Sequence, residues 1–162
     1  MIFVTVGTHE QPFNRLVEYM DEWAKKHNEK VVIQTGFSTY KPKFAEYKSL
    51  YSYQEMQEKV QEARIVITHG GPSSFIMPLQ IGKTPVVVPR CSSFGEHVND
   101  HQVKFCREVE KRMKNIICVE NIEQLSEIIE HYDERKTTIS QKSNNALFCE
   151  KLEKMVEDLM RS

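Results

Sequence analysis

The sequence predicts an α/β fold, a doubly wound parallel sheet with helices on both faces, and two observations carry that expectation. Short β-branched runs alternate with amphipathic stretches of helical period along the chain. Two Gly-containing loops, GTHEQP and THGGPSS, each leave an apolar run and open a helical one, as strand-to-helix turns do in such sheets.

Ile2 to Val6 reads as a buried strand that stops at Gly7, and Pro12 to His27 as a helix with Phe13, Leu16, Val17, Met20, Trp23 and Ala24 at helical spacing. Val31 to Thr35 is a strand, Phe37 to Lys43 a loop, Phe44 to Tyr53 a short strand and Gln54 to Ala63 a helix. Arg64 to Thr68 has the continuous apolar character of a strand covered on both faces. Ser73 to Ile81 follows as a helix and Pro85 to Pro89 as a strand. Val98 to Met113, Asn115 to Val119, Ile122 to Tyr132 and a long amphipathic helix from Ile139 to Met160 complete the alternation. No repeat, linker or low-complexity segment divides residues 1–162, which read as one domain.

Lysine and arginine number 22 against 23 aspartates and glutamates, so no overall field favours nucleic acid. Cys91, Cys106, Cys118 and Cys149 lack the close pairing of zinc sites and read as reduced structural thiols. The opening MIFVTVGTHE has no basic leader, and no stretch approaches the roughly 20 apolar residues that cross a bilayer. The expectation is a cytoplasmic chain that reaches a membrane through another subunit.

In a sheet of this kind ligands gather at the carboxyl ends of strands, which makes the strand-to-helix loops the first candidates. In THGGPSS, Gly70 and Gly71 allow close backbone approach, and Ser73 and Ser74 add hydroxyls to the free N–H groups of a helix start, a way to hold phosphate without lysine. The bland alternative is a turn in which a serine only caps the helix. GxxxxGK[ST] is absent and GTHEQP is not GxGxxG, so ATPase and dinucleotide loops fall behind. A third segment, PRCSSFGEHVNDHQ, gathers Glu96, His97, Asn99, Asp100, His101 and Gln102 at one helix entrance. Groups that both give and accept hydrogen bonds suit sugar hydroxyls, with Asp100 and Gln102 the preferred contacts to the ring. A metal site competes for these residues, but HVNDH lacks the HExxH order, and a capped, solvated helix start is equally compatible.

FVTVGTHEQPFNRL, THGGPSSFIMPLQIGKTPVVVPR and FGEHVNDHQ together resemble the carboxyl-terminal, donor-binding half of inverting GT-B glycosyltransferases, over nearly the full chain. The pattern is similar to the peptidoglycan N-acetylglucosaminyltransferase that forms lipid II. It is closer still to the small catalytic subunit of two-part bacterial capsule and exopolysaccharide glycosyltransferases, and to the corresponding subunit of the dolichol-linked chitobiose-forming enzyme.

That resemblance implies a Rossmann-like half-fold. It implies diphosphate contacts from Gly7, Thr8, His69, Gly71, Ser73 and Ser74, and backbone contacts to uracil near Tyr53, with Tyr51 and Phe37 as packing neighbours. His69 could instead simply end its strand with a satisfied hydrogen bond. Relatives often carry a ribose-binding Glu in the phosphate helix where this chain has Met77, so ribose recognition falls to another group. A chain of this length supplies only the donor side. The expected partners are therefore a UDP-sugar, a membrane-associated acceptor-binding subunit and, through it, a polyprenyl-pyrophosphate-linked saccharide. No cofactor or metal is required by this reading. For the acceptor's proton, His9 and His97 are imidazoles, a group whose intrinsic pKa lies near neutrality, but the resemblance puts the base on the missing half and leaves His9 a weak candidate. The alternative function is a non-catalytic activator of a membrane-associated transferase.

Overall fold

The computed structural model describes residues 1–8, 10–97, 99–138 and 154. The expected helix from Ile139 to Met160, His9 and Val98 lie outside the described residues, apart from Lys154. Among the described residues six parallel strands form one sheet: β1 (Ile2–Thr5), β2 (Val31–Gln34), β3 (Glu46–Lys48), β4 (Ile65–His69), β5 (Val86–Val88) and β6 (Ile117–Cys118). Between and after them run α1 (Asn14–Lys26), α2 (Tyr53–Glu62), α3 (Pro72–Gln80), α4 (His101–Met113), α5 (Leu125–Glu130) and α6 (Tyr132–Thr138).

The strand order is β3-β2-β1-β4-β5-β6, with Ile2 in register with Val31 on one side and Ile65 on the other. The expected doubly wound, Rossmann-like sheet is what forms. Successive side chains of β1 go to opposite faces. Ile2 and Val4 pack with Leu16, Val17 and Met20 of α1 and Leu125, Ile128 and Ile129 of α5. Phe3 packs with Val32, Val60 of α2 and Val66. Phe75 and Leu79 of α3 and Phe105 and Val109 of α4 cover the same face further along, over Val87. Burial on both faces explains why the inner strands read as unbroken apolar runs.

Several boundaries differ from the sequence expectation for identifiable reasons. The strand expected from Phe44 to Tyr53 shrinks to Glu46–Lys48, because the Phe44 and Ala45 N–H groups donate to the Asp21 carboxylate, at 2.8 and 2.9 Å. The helix expected from Val98 opens at His101. Ahead of it the Asn99 side chain accepts the His101 N–H and Asp100 accepts from Ser92, so the preceding residues are held as a loop. The segment from Ile122 to Tyr132 is not one helix. It divides into a 3-10 turn over Ile122–Gln124, then α5, then α6, with buried Tyr132 donating its hydroxyl to the Thr84 carbonyl.

Candidate functional site

Chain direction along the sheet reverses between β1 and β4, since β1 is followed outward by β2 and β3 and β4 by β5 and β6. Connections leaving adjacent strands to opposite faces open a crevice at their carboxyl ends, the usual ligand site of such sheets. The loop after β1 and the His69–Ser74 turn after β4 border it.

The imidazole of His69 fills the space between these two loops. A Cβ on Gly7 would sit 2.2 Å from its Nε2, and one on Gly71 would sit 2.3 Å from its Cε1. Gly7 also has φ +72°, a left-handed conformation that glycine adopts without strain. Both glycines therefore make room for one ring. Its Nδ1 accepts the Gly71 N–H at 3.3 Å, and its Nε2 lies 3.0 Å from Ser74 Oγ. Acceptance at Nδ1 puts the proton on Nε2, so Ser74 Oγ accepts and keeps its own proton to donate.

At the opening of α3 the helix is less generous than its sequence promises. Pro72 holds the first helical position and has no N–H, Gly70 N–H donates to Gln102 Oε1 at 3.1 Å, and Ser74 N–H turns back to Gly71 O at 3.0 Å. The expectation of several free helix-start amides is corrected accordingly. The donors this turn still offers an anion are the exposed Ser73 N–H and hydroxyl and the Ser74 hydroxyl, together with the positive end of the helix.

Gln102, in the first turn of α4, extends the cluster: its Oε1 takes the Gly70 N–H and, at 3.0 Å, the Arg90 N–H. With the oxygen so occupied, its Nε2 group is what can face a ligand. Asp100 is exposed and accepts from both Ser92 N–H and Ser92 Oγ at 2.9 Å, contacts that hold its carboxyl below the usual value. Asn99 accepts from His101 N–H, and His97 Nδ1 accepts from Asn99 N–H at 3.4 Å. Glu96, offered by the sequence for sugar binding, is turned inward. It is buried and accepts from Arg15 Nε at 2.9 Å, Arg15 Nη2 at 3.0 Å and Cys91 N–H at 3.0 Å, an arrangement that braces the loop rather than reaching outward. Among the described residues no group of three or more His, Cys, Asp and Glu side chains could hold a metal ion, and no helix is long and apolar enough to cross a membrane.

Arg90, directly after β5, escaped the sequence reading. It is wholly buried beneath the crevice. Its Nη2 donates to Val6 O at 2.7 Å, its Nη1 to Gln11 O at 2.7 Å and Glu96 O at 3.2 Å, and the Phe13 ring centroid lies 5.1 Å from its Cζ. Burial pulls its pKa down to about 10, against the opposing pull of the Glu96 carboxylate. The signal in the sequence was a charged residue closing the strand VVVPR, with nothing nearby in the chain to say which carbonyls it would meet.

Residues 1–159 match the Glycosyltransferase family 28 C-terminal domain. The chain belongs to this family. Among solved structures it is similar to the glycosyltransferase SnogD from Streptomyces nogalater, with a TM-score of 0.51 and 14% identity, over 95% of this chain. It spans 43% of the length of that protein, and the likeness is one of fold, the C-terminal half of a GT-B architecture. No curated protein matches the chain.

Within the family 28 domain, Gly7, His69, Gly70, Gly71, Ser74 and Gln102 form one continuous set of contacts, with Ser73 beside it. Thr8 is exposed on the loop after β1. Tyr53 stands apart as the first residue of α2, 70% exposed, behind a Ser52–Glu55 capping box that fixes this helix start at the same carboxyl edge of the sheet. Tyr51 packs edge-on against Phe3 at 6.0 Å, while Phe37 is exposed. Met77 packs against the Phe3, Val60 and Val66 cluster, which accounts for an apolar side chain at this position of α3.

Proposed function

We propose that this chain is the donor-binding catalytic subunit of an inverting glycosyltransferase that uses a UDP-sugar. The observation that carries the reading is the His69–Ser74 turn at the switch point. It is shaped around two glycines and leaves two serine hydroxyls and the Ser73 N–H for a diphosphate.

In this reading the acceptor hydroxyl attacks the anomeric carbon as the bond to the diphosphate breaks, inverting the centre. Charge developing on the leaving UDP is met by donors already in place, which need no reorganisation during the step. Gln102 Nε2 and Asp100 serve the sugar ring, and Glu96 and Asn99 shape the loop that presents them. Backbone near Tyr53 takes the uracil. The acceptor is a polyprenyl-pyrophosphate-linked saccharide of exopolysaccharide or capsule assembly, held by a membrane-associated partner subunit. That partner brings this chain to the cytoplasmic face and supplies the base, with His9 the candidate on this side.

Titration calorimetry with UDP and UDP-sugars, on the chain alone and with its partner, tests the reading. Binding that Ser74→Asp abolishes through charge repulsion is the expected result. No binding in either form, or the same affinity in Ser74→Asp, overturns it and favours an activator without a donor site.

A further inference from the structure

The crevice loops come from parts of the chain far apart in sequence, so something must fix their spacing. Val6 and Gln11 bracket the loop after β1, and Glu96 belongs to the loop after β5. The three carbonyls they present are gathered by a single guanidinium, that of Arg90. The same residue's backbone N–H reaches Gln102 Oε1, which in turn holds Gly70 N–H of the turn after β4. Three loops are thereby tied through one side chain and its backbone. With 0% exposure, the guanidinium is out of a ligand's reach. Among the described residues its Nε is buried without a hydrogen-bond partner, so the guanidinium is held by its two Nη groups alone.

We propose that Arg90 is a positioning residue for donor binding: a buried staple that sets the loop after β1, the His69–Ser74 turn and the loop after β5 at the spacing a diphosphate needs. The inference rests on the donor-site reading above for its functional half, while the staple itself is a property of the fold. Glu96 completes it by pairing with Arg15, whose guanidinium lies 4.7 Å from the Phe94 ring centroid and 5.4 Å from that of Phe13. A planar fork can meet carbonyls from several directions; the single ammonium of lysine, on a shorter stem, cannot hold the same three in one plane.

The test compares wild type, Arg90→Lys and Arg90→Ala, the last with and without millimolar guanidinium chloride. Amide hydrogen exchange is read for residues 6–12, 70–74 and 91–97, and UDP affinity by calorimetry. Loss of the staple is expected to speed exchange in these three segments while β2 and α5 stay protected, and to weaken UDP binding by about tenfold or more in both variants. Added guanidinium is expected to restore part of both in Arg90→Ala, which general loss of stability would not allow. Unchanged exchange in the three segments overturns the staple, and loosened loops with wild-type UDP affinity overturn its role in positioning. If wild type fails to bind UDP, the donor-site reading falls and the exchange pattern alone decides the staple. If the variants do not fold, nitrogen-detected NMR of the wild-type chain decides it: separate, slowly exchanging Nη signals for Arg90 are expected, and freely rotating, averaged ones overturn it.

Discussion

Asp21 and Arg90 are both wholly buried charges, and they organise the chain in opposite ways. Asp21, on α1, is an anion that collects the N–H groups of Lys43, Phe44 and Ala45 and the Tyr40 hydroxyl, all from one loop. Arg90 is a cation that collects carbonyls, and they come from separate loops around the crevice. The difference follows from geometry. Successive N–H groups of a tight turn converge on one point and suit a carboxylate, whereas carbonyls from different segments converge only on a group with several donors spread over a fork. Asp21 therefore latches a loop beside the sheet edge, and Arg90 shapes the place where ligands gather.

Breaking the latch should cost stability without touching the site. Asp21→Ala removes the acceptor of the Lys43, Phe44 and Ala45 N–H groups and of the Tyr40 hydroxyl, and a loss of about 3 kcal/mol is expected in urea unfolding, with UDP affinity unchanged. Gly71→Ala should do the reverse. Its φ of −72° accepts alanine, but the new Cβ would fall 2.3 Å from His69 Cε1 and push the ring out of the gap between the loops. UDP affinity should fall by about 30-fold while the urea midpoint moves little. Gln102 stands between the two cases, since it supports loops and also borders the crevice. Gln102→Leu should cost about 1–2 kcal/mol by stranding the Gly70 and Arg90 N–H groups, and Gln102→Glu less, because a carboxylate oxygen can still accept from both.

The smallest effect is the acid dependence of the latch. Burial pushes the Asp21 carboxyl up, but hydrogen bonds from Lys43, Ala45 and Phe44 and from Tyr40 outweigh it and hold the group below its usual value. A carboxyl lowered in the folded state contributes stability above its unfolded pKa, and loses that contribution as pH falls through the folded value. Below about pH 4, then, wild type should lose stability more steeply than Asp21→Asn in paired urea titrations. Equal slopes would mean that the latch draws nothing from its charge.

Much of the site could be read from the residues in order. The glycines of THGG and the serines after them stand where a strand meets a helix, and local chemistry is enough to mark such a turn. The same reading overcounted its free amides, because the partners of Gly70 and Gly71, Gln102 and His69, depend on where α4 and the end of β4 come to rest. Glu96 looked like a ligand-binding carboxylate, and only the approach of Arg15 from α1 shows it turned inward. Arg90 was invisible for the same reason: two of its three carbonyl partners lie 79 and 84 residues away.

The sequence by itself determined the alternation of buried strands and amphipathic helices, and with it the parallel, two-faced sheet, because periodicity and burial are local properties of short segments. The tertiary structure decided the strand order, the position of the crevice between β1 and β4, and the partner of each buried charge. These depend on contacts between residues that only the finished packing brings within hydrogen-bond distance.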